Sequence, residues 1–383
     1  MMKNIRRGIL GVLFALMGLC LGAIVLAVVS NQGLPERSPQ PERLSAAEKA
    51  RLGEADHLRR SLGDSVWPGW GQVAVPFVVY NEEYAFAVGL PDPAPGWNFV
   101  LGRKLGAAWE GAAGDALAGQ PYFRQRLATP DENPQNFIAQ IGETWVATMQ
   151  TVEYSEIAFY LGFRETLPPG VREVLPYRLL WSVLGGGMDG SVAGLAHEAF
   201  HVFQANRSVG RVQAAERVSR LENSYPFDDV RQNEAWKAEL DLLVQAVRAP
   251  STADARVLAQ RWAVARQARR AGLSSELVDY ERQREWLEGL AKYAELTLAK
   301  AAGDPAYQPT PEILAVPNFK RYADRAYFWE MQLDEVKRMD TYRSETRFYY
   351  SGFAQAALLD RLSPGWKVNI FQDGVFLEDL LNG

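Results

Sequence analysis

Apolar residues are spaced in three different ways along this 383-residue chain. From Gly8 to Ser30 they run without a charge, behind Lys3, Arg6 and Arg7. As a helix rising about 1.5 Å per residue, this run spans roughly 30 Å, the thickness of a bilayer core. It predicts a transmembrane anchor over residues 1–30, with the positive flank in the cytoplasm and the rest of the chain exported. A cleaved signal peptide is the competing reading, but the run is long for one and Val28-Val29-Ser30 is a poor cleavage site. Cys20 follows Leu19 and precedes more apolar residues, which fits a lipoprotein signal badly.

Polar residues with Pro35, Pro39 and Pro41 follow, a semi-extended spacer. Leu44 to Leu62 has helical charge patterning and reads as a short stalk or as the first helix of the domain. Residues 31–61 are thus predicted as linker and stalk. Between Val66 and about Leu180 the pattern favours strands: Gly71–Tyr80, Tyr84–Val88, Trp97–Leu101 and Trp145–Val152, separated by Pro and Gly turns. Ile157–Phe163 suits strand or helix. From Ser191 the period becomes helical, over Ser191–Asn206, Val230–Arg248, Thr252–Ala271, Ser274–Ala301, Asn318–Met339 and Gly352–Leu362. The expected fold is α+β: a twisted, mostly antiparallel sheet over 62–209, then a mainly helical part over 210–383.

Composition changes this picture little. The chain is 48% hydrophobic and 23% charged, ordinary for a globular protein. Its net charge of −5, without a basic block, argues against a nucleic-acid partner. Cys20 is the single cysteine, so no intramolecular disulfide can form.

The chemistry is concentrated in five residues. Of three histidines in the chain, two stand in His197-Glu198-Ala199-Phe200-His201. The third, His57, lacks partners at ligand spacing and reads as a solvated helix residue. Asp189 or Ser191 can cap the motif helix, and Gly185 to Gly190 reads as its flexible approach. Residues four apart share a helix face, so both imidazoles can reach one zinc ion. Glu198 then lies beside the metal without being a ligand. A catalytic zinc takes three protein ligands and keeps a position open for water. With no histidine or cysteine after His201, the third ligand must be Asp or Glu.

The segment Arg284-Glu-Trp-Leu-Glu-Gly-Leu-Ala-Lys-Tyr-Ala-Glu295, taken with the His-Glu-x-x-His motif, resembles the zincin metallopeptidases of the gluzincin type. That resemblance implies a zincin-like fold, Zn2+ as cofactor, and Glu288 as third ligand on the helical part, with Gly289 letting its helix approach the motif helix. Glu222, Glu234 and Glu239 are rivals: 86 residues separate His201 from Glu288, where about twenty is usual in thermolysin-like enzymes. The family also implies an oxyanion donor from the helical half, for which Arg347, Tyr349 and Tyr350 are the candidates, while Tyr293 is placed to support Glu288.

The reading is a membrane-anchored zinc metallopeptidase acting on peptide or protein, with Glu198 as general base. Two alternatives share the motif: an inactive zincin-fold scaffold, and a zinc hydrolase of a non-peptide amide or ester.

Overall fold

The computed structural model describes residues 2–382, with side chains from Leu16 to Leu381. It is an α+β protein, 59% helical and 9% strand.

The first helix, α1 (Met2–Ser30), covers the apolar run. The part of that run before Leu16 lies outside the described side chains. Among the described residues, no helix is long and apolar enough to cross a membrane. Of the stalk and first-helix readings for the next segment, the structure takes the second. Helix α2 (Ala46–Val66) is capped by the Ser45 side chain and buries Leu52, Ala55 and Leu58 in the main core.

Eight strands follow: β1 (Phe77–Tyr80), β2 (Tyr84–Val88), β3 (Trp97–Phe99), β4 (Lys104–Leu105), β5 (Glu110–Gly111), β6 (Phe123–Arg126), β7 (Phe137–Ile141) and β8 (Thr144–Gln150). They form one sheet in the order β4-β3-β7-β8-β1-β2-β6-β5. All of its pairs are antiparallel except β1 with β8, which run parallel with Phe77 opposite Ala147, so the sheet is mixed. Strand alternation divides the interior in two. Phe77, Val79 and Phe86 face the main helical core, whereas Val78, Tyr80, Ala85 and Ala87 face a smaller one with Trp97 and Ile141.

Between the sheet and the motif helix lies a helical excursion: α3 (Val152–Thr166), α4 (Val171–Val174) and α5 (Tyr177–Leu184). Ile157–Phe163, ambiguous in sequence, is therefore helical. The motif helix α6 (Gly187–Val218) is longer than expected, with a kink at Ser208. It packs against β7, β8, α2 and α10. The remaining helices are α7 (Val230–Arg248), α8 (Thr252–Arg270), α9 (Ser275–Arg284), α10 (Leu290–Ala302), α11 (Pro311–Leu314), α12 (Arg325–Val336), α13 (Thr346–Leu362), α14 (Trp366–Asn369) and α15 (Leu377–Asn382). A π-helical turn, Glu285–Gly289, joins α9 to α10.

Asp229, Ser251 and Ser274 cap α7, α8 and α9 through their side chains. The motif helix is different. Gly186 occupies its N-cap in the left-handed region. The expected caps are used elsewhere: the Asp189 carboxylate accepts from the Lys320 and Tyr322 amides, and Ser191 Oγ accepts from Arg51.

A candidate metal centre

Helix α6 is apolar on nearly every side where it crosses the core: Leu195, Ala199, Phe200, Val202 and Phe203 are all buried. His197 and His201, one turn apart, project from this buried stretch beside the π turn that carries Glu288. Three ligand atoms converge there. His197 Nε2 lies 3.1 Å from His201 Nε2. Glu288 Oε2 lies 3.4 Å from the first and 3.2 Å from the second. An ion about 2.0–2.1 Å from each of three tetrahedral ligands would set their mutual separations at about 3.3 Å, so the triangle has the size of one face of such a site. At that separation the two imidazole nitrogens need either a shared proton or a cation between them. The donor set, two imidazoles and a carboxylate, is one that divalent transition metals take. The three residues together can therefore hold a metal ion.

The other atoms of these ligands are held by neighbours. His197 Nδ1 faces Glu295 Oε2 at 3.1 Å, and Lys292 Nζ donates to Glu295 Oε1 at 2.9 Å. His201 Nδ1 donates to Gln204 Oε1 at 2.8 Å. Acceptors at both Nδ1 atoms favour the tautomer whose Nε2 is free to bind metal. Gln204 is itself fixed, because its amide donates to the Trp286 and Leu287 carbonyls, both in the π turn. The non-ligating Glu288 Oε1 accepts from Arg284 at 2.9 Å, and Arg284 also pairs with Glu216 and Glu345. The Phe137 ring, 4.7 Å from that of His201, closes the sheet side.

Electrostatics follow the packing. Burial opposes a charge on His197, but hydrogen bonds to Glu288 and Glu295 outweigh it and lift its pKa to about 10. Burial lowers the pKa of His201. Against burial, the charges of His201 and Arg284 hold Glu288 well below the usual carboxylate range. Burial pushes Glu198 up to about 8, with Glu288 and Glu295 adding to it and His197 opposing.

The residues predicted to join this site divide. Tyr349 stands beside it, its ring 6.0 Å from His197 and nearly parallel to it, at 9°. Burial and then the Glu288 charge raise its pKa well above the ordinary value, so its hydroxyl stays protonated. Tyr350 turns towards α12 and donates to Gln332 Oε1. Arg347 is fully buried elsewhere: it donates to the Tyr342 and Asp340 carbonyls and stacks on Phe227. Tyr293, expected to support Glu288, projects from the other side of α10 and donates to Asp360.

The rival carboxylates are all engaged elsewhere or exposed. Glu222 accepts from the Glu345 amide, Glu239 is paired with Arg266 and Arg269, and Glu234 is exposed. His57 is half-buried, with Nε2 3.0 Å from the Gln308 carbonyl. Gly289 also has a different neighbour from the one expected. A Cβ there would come within 2.5 Å of Gly352 Cα on α13, so the close approach it permits is to α13 and not to the motif helix.

Sequence reading missed Glu295, Gln204 and Arg284. Gln204 had a detectable signal, lying three residues after His201 and so on the same helix face. Glu295 stands seven residues after Glu288, about two helical turns along one face. A cavity of about 1080 Å³, lined by Leu62, Lys300, Tyr307, Trp329 and Asp360, lies away from the metal ligands.

A buried His-His-Glu group alone does not distinguish gluzincins from other metal proteins. No protein-family model matches this chain, and no curated protein or solved structure was found to be similar to it.

Proposed function

We propose that this chain is a zinc-dependent peptidase, tethered to a membrane by α1. The triangle of His197 Nε2, His201 Nε2 and Glu288 Oε2 carries this reading. A zinc ion held there would supply Lewis acidity, bringing the pKa of water in the site down towards about 7. Glu198, next to His197 and half-buried, is not among the three ligands. With its pKa raised by burial to about 8, close to neutral pH, it can take a proton from an attacking water and return it to a leaving amine. Tyr349, kept protonated, can donate to the oxyanion that develops on the substrate carbonyl.

The test is zinc content together with hydrolysis of a mixed peptide library, using Glu198→Gln as control. The variant should keep its zinc and lose turnover by roughly 10²–10⁴-fold. Full zinc occupancy with no turnover on any peptide would instead favour a second reading, a silent metal-holding scaffold. One observation favours that reading: His197 and His201 are 8% and 1% exposed, and the large cavity lies elsewhere.

For the tether, the support is the uncharged run from Gly8 to Ser30 in one 29-residue helix, with Leu19 and Leu26 each 71% exposed. The basic flank Lys3, Arg6 and Arg7 would stay on the cytoplasmic side, leaving the metal centre outside.

A further inference from the structure

The excursion α3–α5 is built unlike the rest of the protein. Its buried residues Ile157, Tyr160 and Tyr177 belong to neither core. A small aromatic cluster holds it together: the Phe159 ring lies 4.7 Å from Phe163 and 5.3 Å from Trp181. Outside that cluster the excursion leaves apolar side chains uncovered. Leu179, Val183 and Leu184 are 60%, 69% and 62% exposed, and at spacings of four and five they share one face of α5. Leu161 and Val171 are exposed as well.

The junction of this element with α1 bears on what covers that face. The carbonyls that end α1 are clasped by α5: Arg178 Nε donates to Ser30 O at 3.0 Å and its Nη2 to Gly33 O at 3.1 Å. Asn31 Nδ2 answers from the other side, donating to Leu175 O at 2.8 Å and to Glu173 O at 3.3 Å. The end of the apolar helix is thus fixed onto the excursion, and the exposed apolar residues of α5 begin one position after Arg178. Arg164 and Arg172 of the excursion are partly exposed and paired with Glu36 and Glu173. Exposed Leu and Val beside a Trp suit a segment lying in the interfacial layer of a bilayer. A large exposed apolar patch on a water-facing domain has a partner, and here the uncovered surface continues onto α1.

We propose that the face of Leu161, Val171, Leu179, Val183 and Leu184 lies in the interfacial layer of the phospholipid bilayer that α1 enters. This rests on the tether half of the proposed function and not on its zinc chemistry. The excursion leads from β8 directly into α6, and Tyr154 at its root lies 6.3 Å from Tyr80 of β1. Docked in this way, the metal centre would meet polypeptide close to the membrane surface.

The experiment uses the full chain in vesicles of phosphatidylcholine and phosphatidylglycerol, with an environment-sensitive fluorophore on a single cysteine. One sample is labelled at native Cys20. The other carries Cys20→Ser with Val183→Cys, an exposed position where substitution spares the core. Both labels should shift to the blue, the one at 183 quenched by lipids bearing a shallow nitroxide and the one at 20, near mid-bilayer, by lipids bearing a deep one. Adding Leu179→Ser and Leu184→Ser should abolish quenching at 183 while leaving it at 20. A quenched label at 20 with a water-exposed label at 183 overturns the inference and leaves the tether standing. Water exposure at both overturns the two together. A blue-shifted label at 183 that lipid nitroxide does not quench means that protein covers the face, as a second copy or a peptide would, and this also overturns the inference.

Discussion

Glu295 and Gln204 bind no metal in this arrangement, yet they decide which nitrogens of His197 and His201 can. Each accepts at Nδ1, leaving Nε2 for the ion. Partners of this kind usually change metal affinity by about 10–100-fold. Glu295→Gln should therefore weaken zinc binding by about that factor in a chelator competition, whereas Glu198→Gln should leave it unchanged. Equal affinities in the two variants would remove Glu295 from the site. At the same scale, Tyr349 and Tyr350 separate cleanly. Tyr349→Phe should lower kcat by about 10²–10³-fold with little change in KM, the usual cost of one oxyanion donor. Tyr350→Phe, which loses only a bond to Gln332, should not. Arg347→Met should lower the melting temperature and spare zinc binding, since its contacts are the Asp340 and Tyr342 carbonyls, Asn233 Oδ1 and the Phe227 and Trp236 rings.

At the scale of elements, the π turn is the joint on which the site depends. Gly289 and Gly352 let it meet α13 backbone to backbone: a Cβ on Gly352 would fall 2.6 Å from the Glu285 carbonyl. Overpacking of such a contact costs about 1–3 kcal/mol. Gly352→Ala should therefore lower stability by that order in denaturant unfolding and also weaken zinc binding, because the turn carries Glu288. An unchanged zinc affinity in the folded variant would show that Glu288 is positioned independently of α13. The turn is also gripped from its other end. Glu285 pairs with Arg266 and accepts from Ser351 Oγ at 2.6 Å.

Across the whole molecule, the helical half is tied together by a buried network of charges. Arg266, Arg269 and Arg270 of α8 reach Glu239 of α7, Glu281 of α9 and Glu378 of α15. Burial works to raise the pKa of Glu281, but the Arg269 and Arg270 charges outweigh it and hold the carboxyl far below its usual range. Glu378 is lowered too: burial is outweighed there by Arg266, Arg270 and Arg282. A carboxyl whose pKa is depressed on folding adds stability above its unfolded pKa of about 4.3, and that stability is lost as pH falls towards the folded value. Through these two carboxyls the thermal midpoint should fall steeply below about pH 4. A midpoint that stays level down to pH 3 would contradict this account.

The sequence by itself determined the motif helix, the α+β division and the pairing of His197 with His201, because each depends on local periodicity. The 3.6-residue repeat puts the two histidines on one face whatever surrounds them. It also pointed to Glu288, through a short motif rather than through spacing. It did not show β6 or β7, whose short strands are defined by their neighbours in the sheet, and it assigned Gly289 to the wrong contact. Tertiary structure alone excluded Glu222, Glu234 and Glu239 from the metal-holding group, separated Tyr349 from Tyr350 and Arg347, and replaced Tyr293 by Glu295. These choices depend on which side of a helix meets which neighbour. A π turn inserted just before α10 rotates that relation in a way no repeat of apolar residues records.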